Sequence, residues 1–304
     1  MEEVLRESQE RRGLGSERFG DLPDEYVSYE KSKAAILPIP FELTTTFLKG
    51  TERGPGELIK ASRALEFFDE ELGCEPYRVG IHTLEPLPVE GCSQDEAFDR
   101  IEAAARKVLL DGKFLVSLGG EHSITVPLVR AALAVEPDLV VVQLDAHADL
   151  RAEYQGSPYN HACVMRRVRE LCPAVQIGIR AMDLSEMALV RREGWFMVLD
   201  MERRNDPSWV ERAMERINGP VYLTVDLDVC DPAMMPAVGT PEPGGFGWYE
   251  LLEFLKVLFQ RKRVLASDLV ELCPRPGLEH SVFIASKLLY KIIAYRFWAD
   301  GYWA

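Results

Sequence analysis

The sequence predicts an α/β fold: three layers, α/β/α, around a central, mostly parallel sheet of about eight strands. Two observations carry this. Short apolar runs rich in β-branched residues, the signature of strands covered on both faces, alternate along the chain with helix-start signals. No repeat, low-complexity linker or shift in composition divides the 304 residues, so one domain is expected over 33–304, preceded by an arm over 1–32.

The arm is polar and weakly periodic, and is expected to lie on the surface or on a neighbouring subunit. Ala34–Pro38 is the first strand, followed by a Thr- and Gly-rich loop, Phe41–Gly54, and a helix from Pro55 to about Leu72. The next strand candidate is Tyr77–Ile81. Ser93 and Glu96 form a capping box before a helix over Ala97–Leu110. Further strands are expected at Phe114–Leu118, Leu139–Leu144, Val175–Ile179, Phe196–Leu199, Val221–Val225 and Val264–Leu272. Between and after them, helices start at Ser123, at Asp183 or Ser185, after Ser208, at Trp248 and at Ser281.

Composition narrows the function. A net charge of −14 argues against nucleic-acid binding and suits a small cationic ligand. Six cysteines without a Cys-x-x-Cys pair read as reduced thiols of a cytoplasmic protein. The charged start, Met-Glu-Glu-Val-Leu-Arg-Glu, has no signal-peptide pattern. No apolar run approaches the roughly eighteen residues of a membrane span, so no membrane partner is expected.

The chemistry is concentrated just past three strands. Val140–Asp149 begins as a buried strand and ends with Asp145, His147 and Asp149 at every second position, hence on one side. A polar strand exit making turn hydrogen bonds explains that stretch equally well when it is taken alone. His122, however, follows the strand Phe114–Leu118, and Asp226 and Asp228 follow Val221–Val225, so all three clusters belong at the carboxyl edge of one parallel sheet. Two imidazoles and four carboxylates suit two hard or borderline divalent cations, manganese before zinc. Without cations the four carboxylates repel one another and take up protons. No Gly-x-x-x-x-Gly-Lys phosphate loop and no Gly-x-Ser-x-Gly nucleophile turn competes with this reading.

Gly-Gly-Glu-His-Ser (119–123), Asp-Ala-His-Ala-Asp (145–149), Asp-Leu-Asp-x-x-Asp-Pro (226–232) and Gly-Thr-Pro-Glu-Pro-Gly-Gly (239–245) together resemble the ureohydrolases, the arginase and agmatinase family, over roughly residues 33–300. Deacetylases of related fold carry similar Asp-x-His-x-Asp strings. The resemblance implies an arginase-like fold and an enzyme with two Mn2+ per subunit, hydrolysing a guanidino compound to urea and an amine with a metal-bridged hydroxide. It implies that Asp145 and Asp226 bridge the ions, that His122 and Asp149 complete one shell, and that His147 and Asp228 complete the other. It further gives Asp149 a proton-relay role, His161 a proton-shuttle role and Glu271 the pairing with the substrate guanidinium. From the residues alone, the lesser alternatives are a helix-start residue for His161 and a surface group at a strand end for Glu271.

The loop 150–160 lacks the Asn, Thr and Ser residues with which an arginase grips an amino acid. It resembles the agmatinase pattern Asp-Leu-Arg-x-x-Tyr-x-Gly-x-x-Tyr-x-His. Agmatine, giving putrescine and urea in polyamine biosynthesis, is therefore the first expectation, with Glu153 and Tyr154 as partners for its ammonium end. Aminopropylagmatine or its carboxy form, guanidinobutyrate and arginine are the alternatives. A non-catalytic regulatory homologue is the reading from another class, and it predicts a missing ligand where none is missing. Thr224 in place of the usual serine, and Met-Met-Pro-Ala-Val at 234–238, depart from the family pattern without removing a ligand. The resemblance also implies a homo-oligomer, a trimer or hexamer.

Overall fold

The computed structural model describes residues 18–303. Eight strands form one sheet: β1 (Ala34–Ile39), β2 (Ile81–Thr83), β3 (Phe114–Gly119), β4 (Val140–Leu144), β5 (Ala174–Ile179), β6 (Met197–Leu199), β7 (Val221–Asp226) and β8 (Val264–Val270). Every pairing is parallel, in the order β2-β1-β3-β8-β7-β4-β5-β6.

Among the described residues, nine helices accompany them: α1 (Gly54–Ala61), α2 (Gln94–Leu110), α3 (Thr125–Leu133), α4 (Val164–Val168), α5 (Leu184–Glu193), α6 (Asp200–Asn205), α7 (Trp209–Arg216), α8 (Trp248–Arg261) and α9 (Glu279–Ala299). Alternate strand residues feed two apolar cores. Ile36, Val142 and Leu223 pack on the side of α1, α7, α8 and α9, while Leu37, Val141 and Tyr222 pack on the side of α2, α3, α4 and α5. This double burial explains why the strands read as continuous apolar runs.

Three sequence expectations shift. The strand expected at Tyr77–Ile81 lies at Ile81–Thr83, because Pro76 opens a 3-10 turn over Pro76–Val79 that Gly80, at φ +78°, closes. The helix expected to reach Leu72 stops at Ala61, where the Ser62 hydroxyl bonds the Ile59 carbonyl and Leu65 turns extended. The strand expected to reach Leu272 ends at Val270, since Glu271 adopts φ +65°. Of the expected arm, residues 1–17 lie outside the described residues. Phe19 and Leu22 are buried in the core, with Phe19 against Tyr290.

The sheet order carries the functional consequence. β3, β8, β7 and β4 are adjacent at its centre, although the chain visits them far apart. Whatever follows their carboxyl ends therefore converges.

Candidate metal centre and active site

His122 follows β3, Asp145, His147 and Asp149 follow β4, Asp226 ends β7 with Asp228 next to it, and Glu271 follows β8. His122 Nδ1 stands 3.1 Å from Asp145 Oδ2, 3.4 Å from Asp149 Oδ2 and 3.3 Å from Asp226 Oδ2. His147 Nδ1 stands 2.8 Å from Asp228 Oδ2 and 3.7 Å from Asp145 Oδ1. Donor atoms of His122, Asp145 and Asp226 lie within 4.8 Å of one another, as do those of Asp145, His147 and Asp228, so Asp145 serves both groups. The six side chains expected from the sequence are thus brought together.

The donor set fits cations. His122 is buried, its Nε2 hydrogen-bonds the Thr224 hydroxyl at 2.8 Å, and its Nδ1 has no hydrogen-bond partner. With Nε2 carrying the proton, a bare lone pair faces three carboxylate oxygens, an arrangement that calls for a metal ion. Thr224 keeps the hydroxyl of the usual serine, so that departure is neutral for this contact.

Charge tells the same story. Burial and the Asp145 charge push Asp149 up to about 7, and burial with Asp228 and Asp145 raises Asp226 well above the carboxylate range. Burial opposes a charge on His147, but Asp228 and Asp145 outweigh it and carry its pKa to about 12. The cluster is an excess of buried negative charge, for which protonated imidazoles substitute when no cation is bound.

Asp149 and Glu271 have φ of +53° and +65°, two of four non-glycine residues in the left-handed region among the described residues. Such a conformation costs on the order of 1 kcal/mol and turns each carboxylate out of its strand direction. Glu271 is buried, not a surface group, and its Oε1 accepts from the His122 backbone N–H at 2.8 Å. Burial, with the nearby Glu121 adding to it, raises its pKa well above the usual value. His161 Nδ1 lies 3.7 Å from Glu271 Oε1. Burial, then repulsion from His147 and His122, lowers the His161 pKa to about 4, so its imidazole is neutral at pH 7. It is not the cap of its turn: Asn160 holds that position, accepting from the Ala162 N–H.

The model of the arginase family matches residues 32–294. The chain belongs to the arginase family. Over 283 residues it is 43% identical to the N(1)-aminopropylagmatine ureohydrolase of Synechocystis, covering 90% of this chain and 92% of that protein. It is 31% identical over 272 residues to the agmatinase of Halalkalibacterium halodurans, covering 88% and 93%. The crystal structure of the agmatine ureohydrolase of Thermoplasma volcanium superposes with a TM-score of 0.87 at 30% identity, over 98% of this chain and all of that one. As an arginase-family enzyme the protein is a ureohydrolase acting on a guanidino compound, and the family generally carries a binuclear manganese site.

Within this arginase-family site, two carboxylates shape the loop over 41–54. Glu121, whose role the sequence leaves open between ligand support and helix cap, accepts from the Leu43 and Thr44 N–H groups and from the Thr44 and Ser123 hydroxyls. Glu42 accepts from the N–H groups of Gly50 and Thr51 and from the Thr45 hydroxyl. The loop so held places the Thr46 hydroxyl 3.3 Å from His161 Nε2.

Arg180, unnoticed in the sequence, donates to the carbonyls of Asp228, Cys230, Glu242 and Pro243, clamping the ligand turn to the Gly-Thr-Pro-Glu-Pro-Gly-Gly loop. On that loop the Thr240 hydroxyl reaches Asp228 Oδ2 at 3.4 Å, and Glu242 Oε1 stands 3.9 Å from His147 Nε2. None of these long-range contacts has a local sequence signal. Glu153 is exposed, and the Tyr154 ring carries the Arg151 guanidinium at 4.8 Å.

Proposed function

We propose that this ureohydrolase acts on a guanidino polyamine, with N(1)-aminopropylagmatine, giving spermidine and urea, ahead of agmatine, giving putrescine and urea. Relatives bearing the first name reach 43% and 40% identity over about nine-tenths of the chain, against 35% and 31% for two agmatinases. Agmatine stays as the second reading because the 150–160 loop has the agmatinase pattern and the similar Thermoplasma volcanium protein is an agmatine ureohydrolase.

His122, Asp145, Asp149 and Asp226 would hold one Mn2+, and His147, Asp145, Asp226 and Asp228 a second. A pair of divalent ions held there supplies a water that ionises near neutral pH. The protein supplies the rest. Glu271 meets the planar guanidinium with two oxygens and fixes its orientation. Water oxygen bonds to the guanidinium carbon, the bond from that carbon to the alkyl-bearing nitrogen breaks, and the departing nitrogen gains a proton. Asp149 accepts the proton released by the water, and neutral His161 carries a proton between solvent and the departing amine. Asp149 and His161 are the proposed acid–base groups, and Glu153 and Tyr154 the proposed partners for the ammonium end. We also place the protein in the cytoplasm as a trimer or hexamer. Among the described residues no helix is long and apolar enough to cross a membrane.

The observation that carries the metal-dependent hydrolysis is the partnerless His122 Nδ1 among three carboxylates, while the substrate order rests on the identities to named relatives. The deciding assay is urea release by manganese-loaded protein from N(1)-aminopropylagmatine, agmatine, guanidinobutyrate and arginine. The expected kcat/KM order runs from the aminopropyl compound through agmatine to the other two. Agmatine in first place selects the second reading, and no urea from any of them ends both.

A further inference from the structure

A row of polar side chains crosses the middle of the sheet two residues before the metal-site aspartates. Gln143 of β4 is in register with Gln176 of β5 on one side and with Thr224 of β7 on the other. Both glutamines are fully buried, so each amide must find partners inside the protein. Gln143 Nε2 donates to Asp145 Oδ2 at 2.6 Å, and Gln143 Oε1 accepts from Gln176 Nε2 at 2.7 Å. Gln176 Oε1 accepts from Arg169 Nε and Nη2 at 3.2 and 3.0 Å, while its Nε2 also donates to the Ala148 carbonyl at 2.8 Å.

This chain has only one workable direction. A guanidinium donates and never accepts, and a backbone carbonyl accepts and never donates. Arg169 and Ala148 therefore fix, independently, which end of the Gln176 amide is oxygen. Gln176 then presents N–H to Gln143, and Gln143 must present its own N–H to Asp145. We infer that Arg169, Gln176 and Gln143 form a polarity-fixed relay that positions Asp145 for the metal pair, with Gln143 as its positioning residue.

The consequence is visible at Asp145. Its Oδ2 receives the Gln143 N–H, and its Oδ1 receives the His147 backbone N–H at 2.6 Å. Each oxygen has one fixed donor and keeps a lone pair for its own metal group, Oδ2 on the His122 side and Oδ1 on the His147 side. A carboxylate so held cannot rotate to give both oxygens to one ion. The inference rests on the reading that Asp145 is shared between two ions.

Manganese titration of the metal-free full-length protein, by calorimetry and by the Mn2+ electron paramagnetic resonance signal, tests it without using activity. Q143E keeps the shape and the acceptor for Gln176 and, once ionised, turns an acceptor toward Asp145, so its titration is run at rising pH until the affinity ratio to wild type is constant. Q143M removes the donor without reversing it. Wild type is expected to take up two Mn2+ per chain. Q143E should bind at least tenfold more weakly, in the range seen when groups behind metal ligands are altered, and Q143M about three- to tenfold more weakly. Q143E within threefold of wild type, or Q143M losing as much as Q143E, overturns the relay in favour of a packing role. Thermal unfolding of the metal-free variants separates binding from folding. Should Q143E not fold, Q143M binding like wild type overturns the relay by itself. Wild type taking up no manganese instead overturns the metal reading on which the relay rests.

Discussion

At the scale of single residues, His161 and Glu271 differ in what their loss should do. His161 sits 3.7 Å from Glu271 with a pKa lowered to about 4, which suits it to pass a proton without holding one at pH 7. H161N is therefore expected to lower kcat by roughly a hundredfold or more while moving KM little, as removal of a proton-transfer group does. A rise in KM at constant kcat would show that His161 binds substrate instead. Glu271 also accepts the His122 backbone N–H, so E271Q keeps shape and part of its bonding while losing the carboxyl that a bound guanidinium draws into its charged form against burial. Expected is a loss in kcat/KM of about one to two orders of magnitude, the worth of a charge-assisted pair. Unchanged manganese content in E271Q, measured by elemental analysis, would confirm that the loss lies with substrate.

The elements show which features a sequence displays and which it hides. The strands and the three ligand segments were legible because their signals are local: apolar runs covered on both faces, and polar side chains at every second position. The turn at Pro76–Val79 was not, because Tyr77 and Val79 read as strand residues while Pro76 and Gly80 decide the backbone. Arg180 was invisible for another reason: apart from that of Gly178, the carbonyls it holds lie 48 to 63 residues away. The roles of His161 and Glu271 came from resemblance, and only the fold shows them side by side. One element carries a prediction remote from the site. Lys291, fully buried on α9, meets Asp69 at 2.9 Å and Glu71 at 3.0 Å, pinning the segment after α1. K291M leaves Asp69 buried without a counter-charge, only its Oδ1 keeping the N–H groups of Glu71 and Leu72, and is expected to cost about 3 kcal/mol, read from denaturant unfolding, and D69N/K291M should regain part of it. At Glu71 burial acts upward, yet bonds from Lys256, Tyr295 and Lys291 outweigh it and hold the pKa at about 2. A lowered folded-state pKa gives stability that is present above the ordinary glutamate range and fades as pH falls toward 2. The unfolding midpoint of wild type should accordingly fall between pH 4.5 and 2 more steeply than that of E71Q.

For the whole molecule, the metal centre and the fold's stability are one question. Four buried aspartates and two imidazoles close the carboxyl edge of β3, β7 and β4, the middle of the sheet, and only protons offset their charge when no cation is present. Those strands cannot separate without dismantling both apolar cores, so the site is built before any ion arrives. Binding then adds to stability by mass action: free Mn2+ at a hundred times a site's Kd contributes about 2.7 kcal/mol through that site, and two sites about twice that. For a domain of this size each kcal/mol moves the midpoint by roughly 2 °C, so manganese is expected to raise the Tm of chelator-treated protein by about 10 °C. Because ions bound there would replace protons on the cluster, uptake should release protons, and calorimetric heats should vary with the ionisation enthalpy of the buffer. D228N keeps the six-residue frame but weakens the His147 group alone, so its titration should retain one tight manganese and lose the other. Equal loss of both would mean that the two groups bind as one unit through Asp145, and a Tm indifferent to manganese would remove the metal pair from the account altogether.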